Sequence, residues 1–404
     1  MVATARNYTR SEYQPQPEHS GVARINVGDH HGTGSLLYDG RAVLTAAHLW
    51  DAAPQQLPAE SIKIEFHFSN GDKQTLSAES YALYPGYRKN QSHQQDLALV
   101  WLSEPASTDA WRYTLYRDDP VGQVFNLVGY GYPGTGQQGY QPSNRTSEIT
   151  KLSAWNLFDL DASLLSQQLE NITGSSIQPG TQLVADFDNG RPENDALGQL
   201  YNTPDLGLGW KEGMITPGDS GGPAFIDGQV AGIASYSARL SSPQGSPDID
   251  GQLNGTFGEL GFWTNTHHAP YQQWIDQTLR ANYQNAPARR EDVQTEWHLQ
   301  PNEQALTYFL LEYLGTRTPT SDQLLFHFST RDGSAQAGID YLPQQGSVIL
   351  YPEENQVAIP ITLMGRDQPA QDLNFYLDVT HETAGGQLVE LSAQRLIQVD
   401  DWLA

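Results

Sequence analysis

The stretch GMITPGDSGGPAF, residues 213–225, sets a single serine among glycines. A glycine-rich backbone can turn tightly enough for amide N–H groups to converge on one point, which is what a developing oxyanion requires. Ser220 is therefore the candidate nucleophile. A serine hydroxyl attacks only when a neighbouring base takes its proton, and the side chain suited to cycling protons near neutral pH is histidine. Two upstream segments supply a base and a residue to orient it. VLTAAHLW puts His48 after an apolar run, and DLALVWL puts Asp96 at the head of another.

Short strands must position these residues. ARINV (23–27), SIKIEFHF (61–68), DLALVWL (96–102), VFNLVGYG (124–131) and QVAGIASY (229–236) are five to eight residues long and rich in β-branched and aromatic types. Turn residues bound them. One helix is expected, over 269–284, where Tyr271, Trp274, Ile275 and Leu279 recur at helical spacing. The polar run NAPARRED then marks a domain boundary, giving domains 1–286 and 287–404. The second part repeats nothing of the first and has its own strands: LLFHFST, SVILY, QVAIPITL, NFYLDV and RLIQVDD. The Gly/Pro/Asn-rich regions 133–150 and 187–209 read as long surface loops.

Composition narrows the function. The chain carries 47 acidic against 22 basic residues, a formal charge of -25, so a nucleic-acid binder that tracks phosphates is excluded. The acidity is denser in the tail, where 287–404 hold 17 acidic and 6 basic residues. With no cysteine there is no disulfide, no thiolate nucleophile and no Cys-ligated metal. No window approaches the ~18 apolar residues of a membrane span. His30-His31 and His267-His268 do not read as metal ligands, because adjacent histidines on a strand point apart and no third ligand stands at a typical spacing.

Gly218-Asp219-Ser220-Gly221-Gly222 fits the G-x-S-x-G turn of α/β-hydrolases, but that turn feeds a helix. Here Pro223 and the strand-like AFIDGQVAGIASYS follow. Taken together, GTGSLLYDGRAVLTAAH (32–48), DLALVWL, VGYG (128–131), GDSGGPAF (218–225), GIASYS (232–237) and GFWTNTHHAPYQQWIDQTL (261–279) resemble the chymotrypsin/trypsin-like serine proteases, in that family's order. The resemblance implies an all-β fold of two six-stranded Greek-key barrels with a C-terminal helix. It implies His48 as general base, Asp96 as its orienting carboxylate and Ser220 as nucleophile. The amides of Gly218 and Ser220 match the oxyanion hole. Met214 matches the base of the pocket for the side chain before the cut, and an uncharged residue there implies a neutral or apolar P1. Ser235 and Tyr236 match the strand that pairs with substrate, Ser237 replaces the glycine usual at the pocket rim, and Gly261 matches a glycine on the pocket wall.

Some positions depart from the family. The cysteines that brace the pocket are missing, with Thr216 at one of their positions, and no Ile-Val-Gly-Gly-like activation sequence occurs in residues 1–22. The tail, from FSTRDGSAQAGIDYLPQQGSVILYPEENQVAIPITL (328–363) to IQVDD (397–401), resembles a Calx-beta domain, an immunoglobulin-like β-sandwich. Calcium is a low expectation, confined to that domain and to the matching acidic positions Asp340, Asp400 and Asp401; no other cofactor is expected. The reading is a secreted, extracellular serine endopeptidase acting on protein or peptide substrates through an acyl-enzyme. Its tail tethers, or docks to an unknown partner or surface. A non-catalytic binding protein on the same fold and an esterase are the alternatives.

Overall fold

The computed structural model describes residues 2–51, 57–89, 94–140, 151–173, 176–201, 204–240, 245–290, 296–367 and 371–399. Strand β1 (Ala3–Thr4) precedes a closed barrel of β2 (Val22–Val27), β3 (His30–Leu36), β4 (Ala42–Thr45), β5 (Lys63–His67), β6 (Lys73–Leu83) and β7 (Ala98–Leu102), in the order β2-β3-β4-β7-β6-β5. Alternation explains β5, which turns Ile64 and Phe66 into the barrel core between partly exposed neighbours. Strand β7 is buried along its whole length, so its sequence is a continuous apolar run.

The second half is built from β8 (Val124–Gly129), β9 (Gly134–Thr135), β10 (Gly139–Tyr140), β11 (Leu152–Leu157), β12 (Leu160–Asp161), β13 (Gln182–Asp186), β14 (Gly213–Met214), β15 (Pro223–Ile226), β16 (Gln229–Ala238) and β17 (Leu260–Asn265). Seven of these form one curled sheet, ordered β11-β8-β15-β16-β17-β13-β12, where the sequence led us to expect a six-stranded barrel. The chain changes partners at Phe158: β11 pairs with β8 before it, the Phe158 amide still donates to the Gln123 carbonyl at 3.0 Å, and from Asp159 onward the pairing is with β13. The Phe158 ring stacks on Phe125 at 3.9 Å between ring centroids and packs edge-on against Trp263. A small sheet, β10-β9-β1-β14, sets Ala3 opposite Met214.

Helix α1 (Ser166–Thr173) and helix α2 (Ala196–Tyr201) interrupt the connections, and α3 (Ala269–Ala281) is the helix read from the sequence, ending three residues earlier. The region 187–209 is not the surface loop expected of its composition. It contains α2, and Phe187, Asp188, Asp195 and Leu197 within it are buried. Residues 141–150 of the other expected loop lie outside the described residues.

By contacts the chain divides into two compact units, Met1–Leu37 with Arg41–Trp274, and Tyr38–Gly40 with Ile275–Ala404. In the second unit, β18 (Glu296–Trp297), β19 (Gln304–Glu312), β20 (Leu324–Asp332), β21 (Gln345–Leu350), β22 (Gln356–Met364), β23 (Leu373–Glu382) and β24 (Leu388–Gln398) make a five-stranded sheet, β18-β24-β23-β20-β21, and a β19-β22 pair. Phe328, Val348, Ile359, Ile361 and Phe375 share the sandwich core, where Tyr341 stacks on Phe375. Both carboxylate oxygens of Asp340 are engaged: one pairs with Arg366 at 2.9 Å, the other accepts the Gln336 amide at 2.8 Å. Asp400 and Asp401 lie outside the described residues.

Candidate active site

His48 follows β4 by three residues, in a single 3-10 turn, Ala47–Trp50. Asp96 stands two residues before β7, the strand paired with β4. Neighbouring strands thus bring the two side chains together, and Asp96 holds His48 twice. Its Oδ2 meets the ring Nδ1 at 2.7 Å and its Oδ1 accepts the His48 backbone amide at 2.8 Å. The carboxylate has no exposure, and the imidazole keeps 20% of its side-chain surface.

A third residue completes the grip on Asp96. Ser235 lies where the β16–β17 register slips, between Ala234 and Tyr236, and its hydroxyl donates to Asp96 Oδ2 at 2.5 Å. A bulge re-aims a side chain out of the ladder, which is what directs this hydroxyl inward. The resemblance assigns the Ser235 backbone to substrate pairing; its hydroxyl is committed to the aspartate. Thr264 adds a bond from its hydroxyl to the Asp96 carbonyl at 3.2 Å. No spacing in the sequence announced either contact.

These contacts act on protonation in opposite directions. Burial alone would lower the His48 pKa, but the Asp96 charge, its hydrogen bond and the nearby Asp51 together raise it above its ordinary value. Burial would raise Asp96, and the charge and bonds of His48 with the Ser235 hydroxyl outweigh it and hold the carboxyl low.

The Ser220 turn is anchored to the first barrel beside the His48 segment. Thr33 on β3 donates its amide to the Ser220 carbonyl at 2.8 Å and its hydroxyl to the Gly218 carbonyl at 2.9 Å. A side chain at Gly221 would strike Thr45 Oγ1 at 2.1 Å and the Ala46 amide at 2.8 Å, so the turn lies against the backbone two residues from His48. Gly218 holds φ at +101°, a conformation that few other residues tolerate. Within the turn, the amides of Asp219, Gly221 and Gly222 donate to Thr216, Ala234 and Asp219 carbonyls. Among the described residues, the amides of Gly218 and Ser220 donate to no acceptor. Asp219 points the other way, into the interior, where its carboxylate accepts Gly131 N at 2.7 Å and Thr216 N at 2.8 Å.

The pocket residues also converge. Ser237 stands opposite Gly261 across β16 and β17, and a Cβ on Gly261 would meet Met214 Sδ at 2.6 Å. Met214 has no exposed surface and belongs to the core with Trp263. Tyr236 stacks on Phe262 and donates to Gln182 at 3.0 Å. No acid occupies the position of Met214.

A six-stranded barrel, a curled second sheet and a His–Asp pair beside an anchored serine turn define a chymotrypsin-type fold. The trypsin family model matches residues 11–156, which include His48 and Asp96, and the Calx-beta domain model matches residues 312–401. These matches are those of a trypsin-like protease domain with a C-terminal Calx-beta domain, and they support a serine protease-type hydrolase. Ser220 lies beyond the matched stretch. The search of curated proteins found no match. A protease domain implies protein substrates, and among the described residues no helix is long and apolar enough to cross a membrane.

Proposed function

We propose that the protein is an active endopeptidase that cuts peptide bonds with His48, Asp96 and Ser220. The observation that carries the reading is the bond from His48 Nδ1 to Asp96 Oδ2 at 2.7 Å. Because a carboxylate faces Nδ1, the proton of neutral imidazole resides there, and Nε2 is left as the acceptor for a hydroxyl proton. Ser220 attacks the scissile carbonyl as His48 takes its proton. The oxyanion formed is met by the unengaged amides of Gly218 and Ser220, each such donor being worth roughly 10²–10³ in rate. His48 then gives its proton to the leaving amine, and water releases the acyl group by the reverse sequence.

The preference before the cut is for neutral, apolar residues, because Met214 supplies no charge to hold an Arg or Lys. We also take the enzyme to act outside the cell, on the resemblance to a mostly secreted family. Retention of every residue of the set argues against a non-catalytic binding protein.

Labelling the full chain with a fluorophosphonate tests the reading. Expected is one adduct, on Ser220, lost in Ser220→Ala, with cleavage of a peptide library after apolar residues. A folded chain that takes no label, or cleavage dominated by a charged residue before the cut, would overturn the activity or the specificity respectively.

A further inference from the structure

Behind the pocket strand, a group of carboxylates is buried close together. Asp186 ends β13, Asp188 follows it, and Asp195 precedes α2; one oxygen from each lies within 4.8 Å of the others. They are 2%, 2% and 4% exposed. Glu212, with no exposure, stands beside them and accepts the Asp188 amide at 2.7 Å through Oε1 and the Leu208 amide at 2.6 Å through Oε2. Asp159 accepts the Asp186 amide at 3.3 Å. Among the described residues, none of these five forms an ion pair with Lys, Arg or His.

An independent observation separates this cluster from a self-satisfied network. Asp188 Oδ1 is buried and has no hydrogen-bond partner among the described residues. Leaving a buried acceptor unmade costs about 1–3 kcal/mol, more when it is charged, so such an atom calls for a partner, a water or an ion among them. Close approach is also prepared. A Cβ at Gly207, φ +77°, would lie 1.9 Å from Glu212 Oε2 and 2.6 Å from Asp188 Cβ. Burial, followed by mutual repulsion, pushes the carboxyls of Asp159 and Asp188 far up, and burial above all lifts Glu212 to about 8.

The geometry points to a calcium site formed by Asp186, Asp188 and Asp195, with Glu212 behind it. Calcium is the chemical match because every donor is a hard oxygen, with no imidazole or thiolate to favour zinc, and because calcium accepts irregular sets of carboxylates. The ion would tie the end of β13 and the start of α2 to Glu212, two residues before Met214. In a chain without cysteine it takes the place of a cross-link behind the pocket.

The test uses the full chain carrying Ser220→Ala, which keeps self-digestion out of the measurement whether or not the protease reading stands. The protein is stripped with EDTA and titrated with calcium chloride by calorimetry and by thermal melting. Binding should appear with a rise of several degrees in Tm, the mark of a ligand that binds only the folded state. Asp188→Asn and Asp195→Asn should each weaken binding at least tenfold while leaving the calcium-free Tm equal or higher, since each replaces one of several crowded, buried carboxyls with a neutral amide of the same shape. A residue of purely structural value would lower it. If Asp188→Asn fails to fold, Asp195→Asn decides alone. No binding to the parent chain, or binding retained in these variants but lost in Asp340→Asn, overturns the proposal.

Discussion

Ser235 and His48 share a single oxygen: the Oδ2 of Asp96 receives the Ser235 hydroxyl at 2.5 Å and the His48 ring at 2.7 Å. The serine comes from the second sheet and the histidine from the first barrel, so the aspartate is fixed from both sides. Ser235→Ala removes a hydrogen bond to a buried charge, a loss of about 1.5–3 kcal/mol. Peptide hydrolysis should show kcat lowered ~10- to 100-fold with KM little changed. Wild-type kcat would remove Ser235 from the positioning of Asp96.

Asp96→Asn should be more severe. An amide can present N–H to the ring and select the wrong tautomer, a change that costs ~10⁴ in kcat in the chymotrypsin triad. Steady-state kinetics on one peptide substrate checks it, and a loss below tenfold would sink the assignment.

The direction of the His48 shift predicts the pH profile. The base works unprotonated, so kcat/KM should fall as pH drops through a midpoint above the usual ~6.5. For stability the sign is the reverse. The raised His48 pKa stabilises the fold fully below the unfolded value, and this is lost as pH rises through the folded value. The lowered Asp96 pKa stabilises above the unfolded carboxylate value and is lost as pH falls through its folded one. An acid limb with its midpoint below ~6 would contradict the raised His48.

Gly129→Ala tests the support of the serine turn at a distance from it. The added methyl would lie 2.1 Å from Asp219 Oδ1, so the carboxylate must leave the Gly131 and Thr216 amides. Overpacking of this kind costs about 1–3 kcal/mol. Urea unfolding should show the loss, and kcat should drop with it. A variant of wild-type stability and rate would deny Asp219 its anchoring role.

In the Calx-beta domain, Arg366→Ala leaves the buried Asp340 carboxylate without its partner. Breaking such a pair costs about 3 kcal/mol, because the remaining charge stays buried. The unfolding midpoint of that domain should fall. An unchanged midpoint would mean that Asp340 finds other compensation.

Much of this was legible in the residues. The runs ARINV, SIKIEFHF and DLALVWL became β2, β5 and β7, because alternating or continuous apolar patterns state which faces are buried. The Ser220 turn announced itself through its glycines. What stayed hidden depends on local departures from regular pairing. Nothing in QVAGIASYS marks the slip at Ser235, and nothing in NLFDLD marks the change of partners at Phe158, since both are decided by what packs on the other side. The acidic cluster was hidden by composition: Asp188 and Asp195 stand in a Gly/Pro/Asn-rich stretch that reads as solvated loop, and only the fold buries them.

The bond from Thr33 to Ser220 closes a loop of nearly half the chain. At roughly 5–20 residues per second, a ribosome needs about ten to forty seconds between the two. Long-range pairings of this kind form late, because loop closure must precede their reward. For the later part of that interval His48 and Asp96 are already made and Ser220 is not. A copy whose synthesis has not reached Ser220 therefore lacks the hydroxyl that the proposed reaction requires.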